Sequence, residues 1–317
     1  MLRVRSVRDL TDFVGVPGDP DDYSDQVRSL WDSGASRSEW CFILEEDGAP
    51  IGRIGLGVSP TVSDPVWLGS LPSDELFVFG LHLPWEDSAV STGSLLIRDA
   101  LTGIASQIPE TLELRVNNSI HPHARERVRL AGALGMDLFQ EKIGFTWEDN
   151  GEPILPGDRL TFRSIDQSGI DAYRAVMAPC GDGTLDRNDR YYWHGCGPDN
   201  WAAQMTEYLG PEDAPMWLTG FHEDVPVGYV AVSAVDDWGS TIVHVGVLPE
   251  HRGHGYIQDL LMAGMASARR RGIVTMLSDV DVLNAPMRHA MIRAGQAENP
   301  NRWHLWVHRA KVANLVG

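Results

Sequence analysis

Val247-Leu-Pro-Glu-His-Arg-Gly-His-Gly-Tyr256 joins a strand-like apolar run to an amphipathic helical pattern. The run Thr241-Ile-Val-His-Val-Gly-Val247 is rich in β-branched residues and short enough for one strand. Downstream, apolar residues recur at helical spacing, and Arg269-Arg-Arg-Gly272 places cations and a glycine cap at the end of that pattern. The sequence therefore predicts a strand, a glycine loop and a helix from about Tyr256 to Arg271.

The glycine loop is suited to binding a pyrophosphate. Gly253 and Gly255 let backbone amides approach an anion closely, and Arg252 adds charged donors. The first N–H groups of the predicted helix have no partner within the helix and point toward the same place. The alternative is a plain strand-to-helix turn with a solvent-facing Arg252, which the combination of strand, loop and capped helix disfavours.

These residues resemble the acyl-CoA loop of the GNAT superfamily of N-acyltransferases, which reads Val-x-Pro-x-x-Arg/Gln-x-x-Gly-x-Gly/Ala. The matching positions are Val247, Pro249, Arg252 and Gly255. Ile257 departs from the pattern, because the family usually has Gly or Ala there. The resemblance continues through the strand-like run before Asn284 into an Asn-led helix, and it covers about Met216 to Arg309.

The resemblance implies an α/β fold, a mixed and mostly antiparallel sheet with splayed central parallel strands flanked by helices. It also implies acetyl-CoA or another acyl-CoA as cofactor, with the pantetheine added between the splayed strands and the Val247 N–H facing the thioester carbonyl. The residues implied for cofactor binding are Val245, Val247, Arg252, Gly253, His254, Gly255, Tyr256 and Asn284.

A hydrophilic break from Glu148 to Asp158 separates two similar halves. The strand-turn-strand pattern that begins at Trp40 is repeated from Trp217. We predict two tandem GNAT-like domains, a degenerate one at 1–150 and a catalytic one at 159–317, joined by a linker at 151–158. The first copy has Glu86 and Asp87 where a cation belongs, so we expect no tight CoA binding there.

Acyl transfer to an amine requires a base, because an alkylammonium is mostly protonated at neutral pH. Asp279 and Asp281 are candidate catalytic carboxylates, with Asn284 beside them, although strand carboxylates near a helix start are often solvated or capping. The family's usual acid, a Tyr seven residues after the Asn, is replaced by Met291. Strict alternation predicts that His244 points away from the face shared by Thr241, Val243, Val245 and Val247, unless a bulge intervenes.

The run from Gly181 to His194 is expected to be a loop that recognises a cationic acceptor, because ammonium groups suit carboxylates and aromatic rings. A helix-flanking loop that covers a seam is an equal alternative. The candidate acceptor residues are Asp182, Asp186, Asp189, Tyr191, Tyr192 and Trp193.

The chain of 317 residues has 26 basic and 44 acidic residues, a formal net charge of −18. This charge disfavours nucleic acid and anionic membranes as partners and favours a cationic small molecule, although it also serves solubility alone. The N-terminus lacks the apolar core of a signal peptide and no apolar run is long enough for a membrane span, so a cytoplasmic location is expected. The spacing of Cys41, Cys180 and Cys196 suggests no metal site.

We expect a GNAT-type N-acetyltransferase that moves acetyl from acetyl-CoA to a primary amine of an aminosugar, polyamine or antibiotic-like molecule by direct attack. The alternatives are a non-catalytic acyl-CoA-binding or sensing protein and an acetyltransferase of mycothiol-type thiol biosynthesis, whose family layout is also tandem. Either a monomer or a homodimer is compatible with the sequence.

Overall fold

The computed structural model describes residues 1–16, 24–58, 75–86, 88–104, 108–207, 210, 213–235 and 239–316. The strands in these ranges are β1 (Leu2–Ser6), β2 (Cys41–Glu46), β3 (Ala49–Val58), β4 (Glu75–His82), β5 (Thr111–Asn117), β6 (Asp137–Glu148), β7 (Thr161–Ser164), β8 (Trp217–His222), β9 (Val225–Val235), β10 (Gly239–Val247), β11 (Thr275–Asp281), β12 (Ala297–Glu298) and β13 (His304–Lys311). The α-helices are α1 (Leu10–Val14), α2 (Ser24–Asp32), α3 (Ala89–Ile104), α4 (Ala124–Ala133), α5 (Ile165–Ser168), α6 (Ile170–Cys180), α7 (Arg187–Cys196), α8 (Pro198–Glu207), α9 (Tyr256–Arg270), α10 (Ala285–Arg293) and α11 (Val312–Leu315).

The chain forms two compact units with bounds that differ from those predicted. Unit 1 contains Met1–Gln140 and Leu305–Gly317, and unit 2 contains Glu141–His304. β13 pairs antiparallel with β5, and β6 pairs antiparallel with β11. The first half of the sequence therefore supplies β6 to the sheet of unit 2, and the second half supplies β13 to the sheet of unit 1. The predicted division at 1–150, 151–158 and 159–317 did not include this exchange of strands.

Unit 1 has the strand order β1-β2-β3-β4-β5-β13. Only β4 and β5 are parallel in this sequence of pairs. One face packs against α3 and α4 through apolar residues such as Leu96 and Leu130, and a second cluster around Phe13 involves α1 and α2. Burial of these side chains is the main favourable term that holds the layers together.

Unit 2 repeats this arrangement in the order β7-β8-β9-β10-β11-β6, with β10 and β11 parallel. The repeat extends to the hairpin turns. Glu223 and Asp224 have φ of 49° and 64°, and Asp47 and Gly48 in unit 1 have φ of 50° and 86°. Two successive left-handed residues match the twist of an antiparallel hairpin, so the same two-residue turn closes both. The α/β fold with a mixed sheet and parallel central strands agrees with the sequence prediction.

The helix predicted from Tyr256 to Arg271 is present as α9, followed by Gly272 with φ of 80°. Its inner face, including Leu260, Leu261 and Met265, packs on β8 and β9 together with α10. By contrast, the segment from Gly181 to His194, predicted as a loop, is largely α7. Asp186 caps this helix through hydrogen bonds from the N–H groups of Asn188 and Asp189 at 2.9 and 3.0 Å. An N-cap aspartate contributes roughly 0.5–2 kcal/mol to a helix. A ten-residue helix also depends on tertiary packing, which the buried Tyr192 provides here.

Candidate active site

β10 and β11 diverge. They pair at Ser240 and Met276, and within these two described strands no further pair follows, although β10 continues to Val247. The other edge of β10 stays paired with β9 as far as Val247 and Gly228. The edge of β10 that faces β11 therefore has backbone groups without a strand partner. An extended chain can hydrogen-bond to such an edge as an added strand.

The glycine loop leads from this gap into α9. Pro249–His251 form a short 3₁₀ turn, after which Gly253 and Gly255 have φ of 82° and 79°. A side chain added at Gly253 would meet nothing within 4 Å, so the left-handed backbone rather than crowding requires glycine there. Gly255 is the N-cap of α9 and provides no side-chain cap. The first N–H groups of α9 therefore face an open, glycine-lined bend, where an anion is favoured.

Two arginines brace this loop. Arg252 donates through Nε to the Val247 carbonyl at 3.1 Å and through its terminal nitrogen to the Cys180 carbonyl at 2.9 Å. Arg159 donates to the His254 carbonyl at 2.9 Å and to the Asp259 carboxylate at 2.5 Å. A guanidinium has five N–H donors, so the exposed Arg252 can brace the loop and still face an anion. The role of Arg159 was missed, because nothing in its own sequence neighbourhood connects it to a loop about 95 residues away.

Imidazole rings surround Tyr256 at the start of α9. His254 stacks on its ring at 5.8 Å, and His222 and His251 lie at 5.6 and 6.3 Å. The Tyr256 side chain belongs to the apolar core and only 9% of the residue is exposed. Of the predicted cofactor residues in this segment, Gly253, His254 and Gly255 line the exposed side of the bend, whereas the Tyr256 ring lies beneath it.

The predicted catalytic carboxylates have structural partners. Asp281, with a side chain 0% exposed, accepts hydrogen bonds from Nε and NH2 of Arg187 at 2.9 and 3.0 Å and from the Leu283 N–H at 2.9 Å. Asp279 accepts from Lys142 at 2.7 Å. A buried carboxylate with a two-pronged guanidinium partner is a poor proton acceptor, because protonation would break the ion pair. The geometry therefore favours an anchoring role for Asp281, between β11 and α7.

Asn284 and Met291 also belong to the framework. The Asn284 side chain caps α10 by accepting from the Met287 N–H at 3.2 Å. Its carboxamide NH2 group has no role in this cap. Met291 is 2% exposed and lies in the apolar core of unit 2. The position at which the resemblance implies a hydroxyl is thus occupied by a thioether that packs in the core and cannot donate a proton.

A β-bulge changes the predicted orientation of β10. Ile242 pairs with Val232 and His244 with Ala231, so Val243 is the extra residue. Val245 and Val247 pack with the core that includes α9, while His244 lies on the opposite face with Tyr229. The expectation that Thr241, Val243, Val245 and Val247 share one face is wrong, because alternation is reset at the bulge. His244 does point away from Val247, toward the helices α7 and α8.

His244 is bonded at both ring nitrogens. Its Nε2 is 2.9 Å from Oδ2 of Asp189, and its Nδ1 is 2.5 Å from the Tyr229 hydroxyl. The rings of Tyr229 and Trp201 pack on it with centroid distances of 5.7 and 5.2 Å. The His244 and Asp189 side chains retain 16% and 19% exposure. A half-buried imidazole with a carboxylate on one nitrogen and a hydroxyl on the other is oriented for proton transfer.

A charged cluster surrounds this pair. Lys142 lies 2.7 Å from Asp279 and 3.6 Å from Asp186. Burial opposes the charge on His244, but the charge and hydrogen bond of Asp189 outweigh it and raise the pKa of His244 above its ordinary value. Burial would likewise raise the pKa of Asp189, but His244 and Lys142 hold it below its ordinary value. Burial and the neighbouring Asp189 raise the pKa of Asp186 despite Lys142.

The family model described as the Acetyltransferase (GNAT) family matches residues 185–295. The chain contains a GNAT acetyltransferase domain. The match spans α7 to α10, and so includes the glycine loop, both diverging strands and the three residues His244, Asp189 and Tyr229. No curated protein matches the chain at a significant level.

Solved structures extend the GNAT likeness over both units. A GCN5-related N-acetyltransferase from Sphaerobacter thermophilus is 18% identical, with a TM-score of 0.63 over 98% of this chain and 96% of that one. A tandem GNAT protein from the clavulanic acid biosynthesis pathway is 13% identical, with a TM-score of 0.56 over 98% and 99%. A glucosamine N-acetyltransferase region of a fungal multi-domain protein is 14% identical, with a TM-score of 0.59 over 98% of this chain and 38% of that one. These matches show a tandem GNAT fold.

The corresponding parallel strands of unit 1, β4 and β5, make different hydrogen bonds at their ends. β4 and β5 pair at three positions, and beyond them Arg127 of α4 donates to the Leu81 carbonyl on β4 at 2.6 Å. Arg53 donates to the Gly80 carbonyl at 3.1 Å. The Arg127 guanidinium also lies 4.7 Å from the Trp85 ring. The end of β4 therefore bonds to side chains of its own unit. Glu86 follows directly, and Asp87 lies outside the described residues.

The predicted acceptor residues of the GNAT domain separate into three groups. Tyr192 is 3% exposed, and Trp193 donates through Nε1 to the Ala178 carbonyl at 2.8 Å. Asp182 is exposed, and so is Tyr191 at 41%. A cavity of about 490 Å³ adjoins the 3₁₀ turn that begins the glycine loop, and its polar and aromatic lining consists of Asp182, Trp193, Asp199 and Glu250. Asp186 and Asp189 belong to the His244 cluster instead.

Two further observations concern membrane-spanning helices and metal sites. No helix among the described residues is long and apolar enough to cross a membrane. Within the same ranges, no group of three or more His, Cys, Asp or Glu side chains is arranged to hold a metal ion.

Proposed function

We propose that unit 2 transfers an acyl group, acetyl by default, from acyl-CoA to the primary amine of a small cationic molecule. The observation that carries this proposal is the combination of an open β10 edge with an uncapped, glycine-lined start of α9. A pantetheine amide chain suits the first feature and a diphosphate suits the second. The two adjoin along one continuous segment, from Val247 to Tyr256.

The residues proposed to hold the cofactor follow from this geometry. Backbone groups of Val245 and Val247 would pair with the pantetheine, and the N–H groups around Gly253 and Gly255 would meet the diphosphate. Arg252 would add charge from the exposed side of the loop. The Val247 N–H is the candidate donor to the thioester carbonyl, where one well-placed hydrogen bond is worth roughly 3–4 kcal/mol in the transition state.

The acceptor is proposed to be cationic because of local as well as total charge. Three carboxylates and one indole line the cavity beside the glycine loop, namely Asp182, Asp199, Glu250 and Trp193. This combination attracts a cationic molecule to the side of the loop through ion pairs and cation–π contact. An aminosugar, a polyamine, an antibiotic-like amine and the amino-acyl pseudodisaccharide of mycothiol-type biosynthesis all satisfy it.

We propose that unit 1 is a non-catalytic copy. The carbonyl groups of Gly80 and Leu81 at the end of β4 are occupied by arginine side chains, and the acidic Glu86 follows them. These features leave fewer backbone groups for a pantetheine and repel a diphosphate.

The second candidate function is acyl-CoA binding without transfer, which the buried Met291 favours because it removes the family's usual acid. Isothermal titration calorimetry with acetyl-CoA, followed by thiol-release assays with glucosamine, spermidine and kanamycin, separates the two functions. Binding with thiol release supports the transferase. Binding with no thiol release from any amine supports the sensor, and absence of binding contradicts both.

A further inference from the structure

The His244 cluster lies beside the open edge of β10 and is not explained by packing alone. His244 directly precedes Val245, on a strand whose parallel partner has already diverged. The bulge at Val243 puts its ring on the face of β10 opposite the apolar core. The groups that act on it are Asp189 and Asp186 of α7, Tyr229 of β9 and Lys142 of β6. In β11, Asp281 acts on the two aspartates and Asp279 accepts from Lys142.

His244 has one partner that orients its ring, Tyr229, and one that stays accessible, Asp189. Tyr229 is fully buried, and burial holds the pKa of its hydroxyl well above the ordinary value, so the phenol keeps its proton. The charged ring donates Nε2–H to Asp189 and Nδ1–H to the Tyr229 oxygen. Loss of the Nε2 proton leaves a basic lone pair that faces the Asp189 carboxylate, an arrangement that is favourable when an ammonium group lies between the two. Nε2 faces Asp189, and both side chains are partly exposed.

We propose that His244 is the proton acceptor of the acyl transfer, that Asp189 positions both the imidazole and the incoming ammonium, and that Tyr229 holds the Nδ1 side of the ring. This inference rests on the proposed function. An ammonium that donates one N–H to Asp189 has a second N–H within reach of Nε2, because the two acceptor atoms are 2.9 Å apart. The assignment replaces Asp279 and Asp281, whose carboxylates are held by Lys142 and Arg187.

The protons balance as follows. The ammonium loses one proton to Nε2, and the freed amine attacks the thioester carbon. The N–C bond forms, the C–S bond breaks, and the nitrogen loses its second proton. The imidazolium returns its proton to the departing thiolate, directly or through water, and the second proton leaves to solvent. His244 would therefore supply the acid that Met291 cannot.

The experiment compares His244→Gln with the wild-type protein in thiol release from acetyl-CoA, using glucosamine, spermidine and kanamycin. Loss of a positioned base is expected to lower kcat by about 100-fold. Because Asp189 raises the pKa of His244, wild-type kcat should rise with pH through a value above the ordinary histidine range, and the variant should lose that rise. The acetyl-CoA Kd should stay within about twofold.

Asp189→Asn tests the positioning role. Removing the carboxylate lowers the His244 pKa, so the rise in kcat should move to lower pH while KM for the amine increases. A merely structural role would leave the pH profile in place. His289→Gln, an exposed histidine of α10, is the matched control and should retain wild-type kcat.

The outcomes separate this inference from the proposed function. If the wild-type protein binds no acetyl-CoA or releases no thiol with any amine, the proposed function and this inference fall together. If it is active and His244→Gln keeps kcat within about threefold with the same pH profile, only this inference is overturned. If His244→Gln does not fold, the unshifted pH profile of a folded Asp189→Asn would overturn it instead.

Discussion

Substitution of Arg252 tests whether the glycine loop of unit 2 is the cofactor site. The wild-type guanidinium bonds to the carbonyl groups of Val247 and Cys180. Arg252→Gln removes the charge and most donors, whereas Arg252→Glu also places a negative charge beside the proposed diphosphate. The difference between the two variants therefore isolates the effect of the added negative charge, because both variants lose the guanidinium and its contacts.

The magnitude follows from the contacts. A hydrogen bond from a charged donor is worth roughly 1.5–3 kcal/mol, so losing part of the brace should weaken acetyl-CoA binding by roughly tenfold in Arg252→Gln. The side chain is exposed, so the added charge of Glu acts through a water-like dielectric. A further loss of roughly threefold to tenfold is expected, and it should shrink as salt rises from about 0.05 to 0.5 M because exposed charges are screened.

Isothermal titration calorimetry with acetyl-CoA measures both effects. Glu86→Gln is the matched control, since Glu86 follows β4 in unit 1 as the glycine loop follows β10 in unit 2, and it should change Kd by less than about twofold. Circular dichroism and Tm verify that each variant is folded. A larger effect from Glu86 than from Arg252 would refute the assignment of the cofactor to unit 2.

Three further predictions concern the framework around the site. Arg159→Ala should weaken acetyl-CoA binding by roughly threefold to tenfold in calorimetry, because the loop loses the hydrogen bonds from Arg159 to the His254 carbonyl and to Asp259. An unchanged Kd would show that the loop keeps its conformation without Arg159. Arg127→Ala should cost unit 1 about 2 kcal/mol in urea unfolding, because the buried carbonyl groups of Pro122 and Leu81 lose their donor. The wild-type protein should bind one acetyl-CoA per chain in calorimetry, and a second equivalent bound with similar affinity would contradict the expected lack of tight CoA binding in unit 1. The Arg5 ion pair lowers the pKa of Asp12 from 3.8 to about 2, so this pair stabilises the fold above about pH 4 and its contribution disappears as pH falls toward 2. After allowance for solvent screening the loss is about 1 kcal/mol, and acid unfolding of Asp12→Asn should lack it.

The local elements around the site were predictable from sequence because their signals are local. β-branched residues, the glycines at 253 and 255 and the cations at the end of α9 act within a few residues of themselves. The strand, the bend and the helix accordingly lie where the sequence places them, and the two-residue turns of both hairpins agree with the internal repeat. α7 was missed because its polar and aromatic composition suggested a loop, whereas the burial of Tyr192 that helps to hold the helix arises only from packing.

Partners of charged residues were not predictable in the same way. The sequence around Asp281 reads the same whether its carboxylate faces solvent or Arg187, and only the packing of α7 against β11 decides between them. The bulge at Val243 depends on how β9 pairs along its whole length, so alternation alone assigned the wrong residues to one face. Desolvation and neighbouring charges set proton affinity, and both are properties of the folded environment.

By itself, the sequence determined that the second half carries a strand, a glycine loop and a helix in direct succession, since propensity, capping and glycine conformation are encoded within about thirty consecutive residues. Tertiary structure alone decided that β6 and β13 each close the sheet of the other half, and that His244, Asp189 and Tyr229 meet. Strand pairing and buried ion pairs join residues from 15 to more than 100 positions apart, and the free energy of those contacts exists only once the chain has folded around them.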